Sequence, residues 1–285
     1  MIYKSKSARD YAENYLLELK NVTFSYRNPP KLLLEDANFQ LLPGEKIGIV
    51  GDNGSGKSTI AKLFLGLCKP QRGFIRLFGE EVSWGNHYPM LGYIGDPSYN
   101  PGGLGLPTNV LVGDLVDCFK KLWSNSIQDS SLELEDRLNL PLLYKNDIGV
   151  LSKGERMRVM AFLALSKQPK LLIADEATEG LDKESKKIIL SELKRAFERS
   201  EFGMVWISHR HHEIAILVDQ VYELTSCKLK KHSLGNFNCE VETEFKTETY
   251  NNLSYEAFQE VFGEVFTNSL VSNFNIKGTR KTQTE

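Results

Sequence analysis

Apolar and polar positions alternate along this chain in two different periods. Ile47 to Val50, Lys170 to Ala174 and Met204 to Ser208 carry short apolar runs, the pattern of strands buried on both faces of a parallel sheet. Between them the apolar residues fall three and four apart. Ile60, Leu63, Phe64 and Leu67 predict a helix over Ser58 to Leu67, and Arg156 to Ser166 predicts a second. Ser185 to Arg199 reads as a charged amphipathic helix. Near the start, Tyr15 to Lys20 and Val22 to Tyr26 read as two strands broken near Asn21, and Gly73 to Gly79 as a half-exposed strand. Pro43-Gly44-Glu45 marks a turn. The Gly-, Pro- and Asn-rich stretch Asn86 to Thr108 predicts loop. Val110 to Leu143 predicts helix, with Leu111, Leu115, Phe119 and Leu122 on one face.

Strands that alternate with helices imply a mostly parallel sheet covered on both faces. That unit is expected over residues 11–230, with a helical subdomain inserted at about 99–155. Beyond Leu229 the alternation stops, and 231–275 reads as a C-terminal extension. Within it Asn238 to Thr249 patterns as an edge strand and Tyr255 to Phe266 as an amphipathic helix. Residues 276–285 are expected to form a disordered tail, and the first ten residues to be loose. The sequence shows no internal repeat.

Composition narrows the function classes. A length of 285 residues suits one elaborated α/β domain. With 35 basic and 37 acidic residues, the net charge of −2 provides no field for a nucleic acid backbone, so no nucleic acid partner is expected. The four cysteines form no C-x-x-C pair and no metal-spaced set with histidine, which predicts reduced thiols. The N-terminus has no apolar core of a secretory signal, and no window reaches the roughly 20 apolar residues of a membrane span. Any work at a membrane therefore goes through a partner.

The chemistry concentrates in a few short stretches. GDNGSGKST, Gly51 to Thr59, fits the P-loop pattern G-x-x-x-x-G-K-[ST] between a predicted strand and a predicted helix. The backbone N–H groups of Gly51, Asp52, Asn53, Gly54, Ser55 and Gly56 can wrap a polyphosphate, aided by the positive end of the helix. Lys57 can reach the β- and γ-phosphates, Ser58 can ligate Mg2+, and Thr59 can add a phosphate contact. In LLIADE, Leu171 to Glu176, Asp175 ends a buried strand where its carboxylate suits Mg2+ coordination. Glu176, one residue on, is placed to orient and deprotonate an attacking water. His209 ends a third buried strand, while His211 and His212 fall in the following turn.

LSKGE, Leu151 to Glu155, opens a predicted helix shortly before the acid-tipped strand. With the stretches above it resembles the signature motif of ATP-binding cassette (ABC) transporter ATPases, usually LSGGQ. The resemblance runs from about Leu16 to Leu229. It implies a P-loop NTPase core with an N-terminal antiparallel β subdomain. It also implies a head-to-tail dimer of two such subunits around two ATP molecules, where Ser152 and Gly154 contact the partner subunit's γ-phosphate. Tyr26 matches the aromatic residue that stacks on adenine, and Asp182 the D-loop aspartate. A polytopic permease subunit would dock a short helix in the groove beside the helical insertion, placing the ATPase on the cytoplasmic face of the membrane.

Three motifs depart from the family pattern. Lys153 and Glu155 replace the first glycine and the glutamine of the signature, and Glu179-Gly180 replaces the common Ser-Ala of the D-loop. GYIGDPSYNP, Gly92 to Pro101, carries no Q-loop glutamine. Asp96 is the nearest polar equivalent and a candidate Mg2+ ligand, with Gly95 the alternative occupant. A soluble ABC ATPase acting in assembly, repair or translation is the alternative to a transporter subunit. Glu176 and His209 argue against a protein that holds ATP without cleaving it.

Overall fold

A computed structural model describes residues 15–83, 85, 87–98, 105–123, 130–199, 202–209, 217–232, 237–243, 247–253 and 271–278. The chain begins with an antiparallel sheet of order β2-β1-β4-β5. Its strands are β1 (Leu17–Arg27), β2 (Pro30–Leu41), β4 (Arg72–Leu77) and β5 (Glu80–Glu81). The break expected near Asn21 is a bulge within one continuous strand. The register of β1 on β2 shifts between Leu19 and Val22, and Asn21 takes φ 50°, a left-handed conformation that asparagine tolerates better than most residues.

The second sheet has six strands in the order β10-β9-β3-β8-β7-β6. They are β3 (Lys46–Val50), β6 (Leu91–Ile94), β7 (Leu171–Asp175), β8 (Gly203–Ile207), β9 (Gln220–Thr225) and β10 (Lys228–His232). All neighbours are parallel except the β9–β10 hairpin, so the mostly parallel sheet is present. Strand β6 lies inside the stretch expected to be loop. Four residues between glycines and prolines are too few to show a period, yet Leu91 to Ile94 pairs in register with Leu171 to Ala174.

Helices α1 (Lys57–Phe64), α2 (Val112–Leu122), α3 (Ser130–Arg137), α4 (Lys153–Leu165) and α5 (Lys183–Arg199) complete the core. The helical stretch expected over Val110 to Leu143 is divided into α2, α3 and a 3-10 turn at Pro141–Leu143. Burial follows strand alternation. Leu172, Ala174, Met204 and Trp206 enter one apolar cluster with residues of α4 and α5. Leu171, Ile173, Val205 and Ile207 enter the other, with α1 and the antiparallel sheet. Each fully buried side chain of that size stabilises the fold by roughly 1.5–3 kcal/mol before entropy is counted.

The C-terminal extension holds a third, antiparallel sheet of order β12-β11-β13, from β11 (Phe237–Thr243), β12 (Thr247–Leu253) and β13 (Val271–Gly278). The expected edge strand Asn238 to Thr249 is thus two paired strands, and β13 reaches into the stretch expected to be a tail. The helix expected over Tyr255 to Phe266, the first ten residues and 279–285 lie outside the described residues. Cys68, Cys118 and Cys227 are free thiols.

Candidate active site

Strands β3, β8, β7 and β6 are neighbours in the sheet, so their C-terminal ends open onto one crevice. In parallel α/β sheets that is where ligands bind. The P-loop leaves β3 there and turns into α1 at Gly56, whose φ of 111° excludes a side chain at little cost only for glycine. At Gly51 a Cβ would come 2.7 Å from the Leu224 carbonyl oxygen, so the loop can pass β9 only as glycine.

Lys57, the first residue of α1, is 5% exposed. Its ammonium donates to the carbonyl oxygens of Gly51 (2.8 Å) and Asp52 (3.0 Å) and lies 3.9 Å from Glu176 Oε1. Ser58 Oγ donates to Asp175 Oδ1 at 3.5 Å. The Thr59 and Tyr26 hydroxyls stand 3.2 Å apart, so the tyrosine of β1 meets the P-loop across the crevice. These residues line an open cavity of about 590 Å³, with Asn53, Gly54, Gly56, Glu176 and Glu179 also on its wall.

Asp175 ends β7 with its carboxyl nearly buried. Burial pushes that group up to about 6, reinforced by Glu176 and opposed by the Ser58 hydroxyl, Lys57 and Lys62. Glu176 steps off the strand at φ 51°, a left-handed conformation costing a non-glycine residue about 1 kcal/mol. Its backbone N–H donates to the Ile207 carbonyl oxygen at 2.9 Å, which pins the turn to β8. His209 follows β8, and its Nδ1 lies 3.1 Å from both Glu176 carboxylate oxygens. Pairing of Asp175 with Ile207 sets this meeting. The other two histidines, His211 and His212, lie outside the described residues.

Ser152 caps α4. Its Oγ accepts from the Glu155 N–H (3.2 Å), and the Glu155 carboxylate accepts from the Ser152 N–H (2.8 Å). This capping box gives the unexpected Glu155 a local task. The hydrogen bonds from Ser152, with Arg158 nearby, hold the Glu155 carboxyl below its ordinary value against a smaller desolvation effect. Gly154 is buried against α5, where a Cβ would come 2.3 Å from Ser185 Oγ. Neither Ser152 nor Gly154 lines the P-loop cavity, and neither does Asp96, whose Oδ1 accepts from the Ser98 N–H at 3.0 Å. Contacts link Tyr26 to Thr59, Ser58 to Asp175, and Lys57 and His209 to Glu176; Asp175 and His209, like Ser152, Gly154 and Asp96, do not line the cavity itself.

Among the wall residues that the sequence pattern did not assign to the site are Lys31 and Glu179. Lys31 donates to the Gly54 carbonyl oxygen at 3.3 Å; its signal was its place opposite Tyr26 in the β1–β2 hairpin. Glu179 Oε1 stands 4.0 Å from His209 Nε2, and its signal was its spacing of three from Glu176. Among the described residues no helix is long and apolar enough to cross a membrane.

Comparison with known proteins agrees with this geometry. The "ABC transporter" family model matches residues 34–179. The zinc uptake system ATP-binding protein ZurA of Listeria monocytogenes is 33% identical over 199 residues, which cover 68% of this chain and 76% of that protein. The energy-coupling factor transporter ATP-binding protein EcfA1 of Mycoplasma genitalium is 33% identical over 215 residues, covering 74% and 76%. A solved ATP binding subunit of an ABC transporter shares the fold with a TM-score of 0.65 at 22% identity, over 88% of this chain and 99% of that one. The family match and these relatives, in keeping with the phosphate loop and acid pair of the crevice, place this chain in the ABC transporter family as an ATP-binding, ATP-hydrolysing subunit.

Proposed function

We propose that the crevice hydrolyses ATP through Glu176, flanked by Lys57 and His209, on the cytoplasmic face of a membrane. The observation that carries this reading is the single carboxylate 3.1 Å from His209 and 3.9 Å from Lys57, at the tips of adjacent strands. Tyr26 supplies a flat wall for adenine, and the P-loop N–H groups and Lys57 receive the phosphates. Bound phosphate oxygens take over the Lys57 donors now spent on Gly51 and Asp52.

Mg2+ fits the donor set. Ser58 and Asp175 offer two hard oxygens side by side, and the nearly buried Asp175 carboxylate is an anion in want of a cation. Held by Ser58 and Asp175, Mg2+ would supply positive charge to offset that of the phosphates. Glu176 takes the proton of the water that attacks the γ-phosphorus, and His209 holds the Glu176 carboxylate and donates toward the γ-phosphate. Ser152 and Gly154, outside the cavity of their own subunit, serve the ATP of a second subunit, and the closed pair drives the membrane partner.

The test is Glu176→Gln. We expect ATP binding within about twofold of wild type and hydrolysis reduced by about 100-fold or more, since a general base contributes 10²–10⁴. Turnover near the wild-type rate would remove Glu176 from the mechanism.

A further inference from the structure

Among the described residues, the wall of the P-loop cavity carries two cations, Lys57 and Lys31. Their surroundings differ. Lys57 is buried and stands 3.9 Å from the Glu176 carboxylate. The two acids of the wall, Glu176 and Glu179, lie 3.1 and 4.0 Å from His209. Lys31 is exposed and, among the described residues, forms no ion pair. Its Nζ donates to the Gly54 carbonyl oxygen at 3.3 Å, in the middle of the P-loop. An ammonium carries three donors, and a neutral carbonyl oxygen holds one of them more weakly than an anionic oxygen would.

The fold fixes where that ammonium stands. Lys31 is the cross-strand partner of Tyr26 in the β1–β2 pair, and both line the cavity. Tyr26 meets the P-loop through the Thr59 hydroxyl at 3.2 Å. Leu33, two residues after Lys31 on the same strand, is buried against the turn into α1: a Cβ at Gly56 would come 3.3 Å from Leu33 Cδ2. Strand β2 is thus packed on the loop by Leu33, and two residues earlier Lys31 reaches Gly54. One hairpin therefore brings an aromatic ring and a cation to the nucleotide cavity, with the P-loop facing both.

We propose that Lys31 is a nucleotide-binding residue that grips the α- and β-phosphates of ATP and ADP alike. With adenine against Tyr26, the phosphates nearest the ribose pass the hairpin that carries Lys31, and the γ-phosphate lies beyond them toward Glu176. On binding, the ammonium exchanges the Gly54 carbonyl oxygen for phosphate oxygens, while Lys57 serves the β- and γ-phosphates. The contact is the same before and after the γ-phosphate leaves. It sets how tightly nucleotide is held, and not how fast the γ-phosphate is cleaved. This inference rests on the placement of ATP proposed above.

The test measures binding of ADP and of an ATP analogue with a non-hydrolysable β–γ bridge to the full chain, beside steady-state ATPase activity. Lys31→Met keeps the stem and removes the charge. We expect both Kd values to rise about fivefold or more, by factors within about twofold of each other, with KM for ATP rising and kcat within about twofold of wild type. The effect should shrink from about 0.1 M to about 1 M salt, as the Debye length falls from ~10 to ~3 Å. Lys31→Arg should retain most of the affinity. Lys31→Gln separates charge from bracing, because glutamine can still donate to the Gly54 carbonyl oxygen. Affinity near wild type in Lys31→Gln would make residue 31 a brace of the P-loop and overturn the proposal. So would unchanged Kd values in Lys31→Met, a loss confined to the triphosphate, or a fall in kcat. Lys57→Ala tests the underlying placement. If it leaves binding intact, the P-loop reading has failed; if it abolishes binding while Lys31→Met does not weaken it, the role of Lys31 alone has failed.

Discussion

Glu155 illustrates how one residue can satisfy its surroundings while breaking a family pattern. Its carboxylate closes the capping box on Ser152, a task glutamine performs equally well. Glu155→Gln should therefore leave the unfolding free energy nearly unchanged, while Glu155→Ala should lower it by about 1 kcal/mol, read from denaturant melts. Equal losses in both would remove the capping box as the reason for the acid. The residues of the hydrolysis set were legible because their chemistry is local: a P-loop, a strand ending in two acids and a strand ending in histidine each announce themselves within a few residues. Glu179 and Lys31 were less legible, since the spacing and the hairpin position that hint at them become cavity wall only through the turn after β7 and the register of β1 on β2.

Among elements, those with a clear pattern of their own matched their expectation, whereas β6 and the divided stretch Val110 to Leu143 did not. Helix α5 begins and ends near its expected bounds because seventeen residues repeat the helical period several times. Strand β6 is four residues long, and its identity comes from pairing with β7, not from its own pattern. Helix α3 is tied to the core by a contact that the sequence could not reveal. Arg137 Nε donates to Glu192 Oε2 at 2.7 Å, and Glu192, on α5, is 4% exposed. Glu133 on α3 meets the same guanidinium at 3.1 Å from a more exposed position. Glu192→Ala should cost about 2 kcal/mol by leaving Arg137 without its buried partner, and Glu133→Ala well under half of that. Thermal melts of the two variants check this order, and the reverse order would place the anchor of α3 elsewhere.

At the scale of the molecule, the role proposed for Ser152 and Gly154, which do not line the P-loop cavity, predicts that a single copy is incomplete. The Glu176→Gln variant, which holds ATP without spending it, should run as a dimer in size-exclusion chromatography with Mg2+ and ATP and as a monomer without nucleotide. Adding Ser152→Ala should shift it back toward monomer. A Glu176→Gln chain that stays monomeric with ATP would confine the site to one subunit. Strand β3 sits at the centre of the six-stranded sheet, and both of its neighbours, β8 and β9, come from late in the chain. A ribosome making this protein therefore releases the phosphate loop and its strand long before either partner exists. Ile47, Ile49 and Val50 must wait as an unpaired apolar edge until Val205 and Val221 emerge. Formation of the nucleotide site is thus a late event of synthesis, and nascent chains stalled before β8 are natural clients for chaperones that shield such edges.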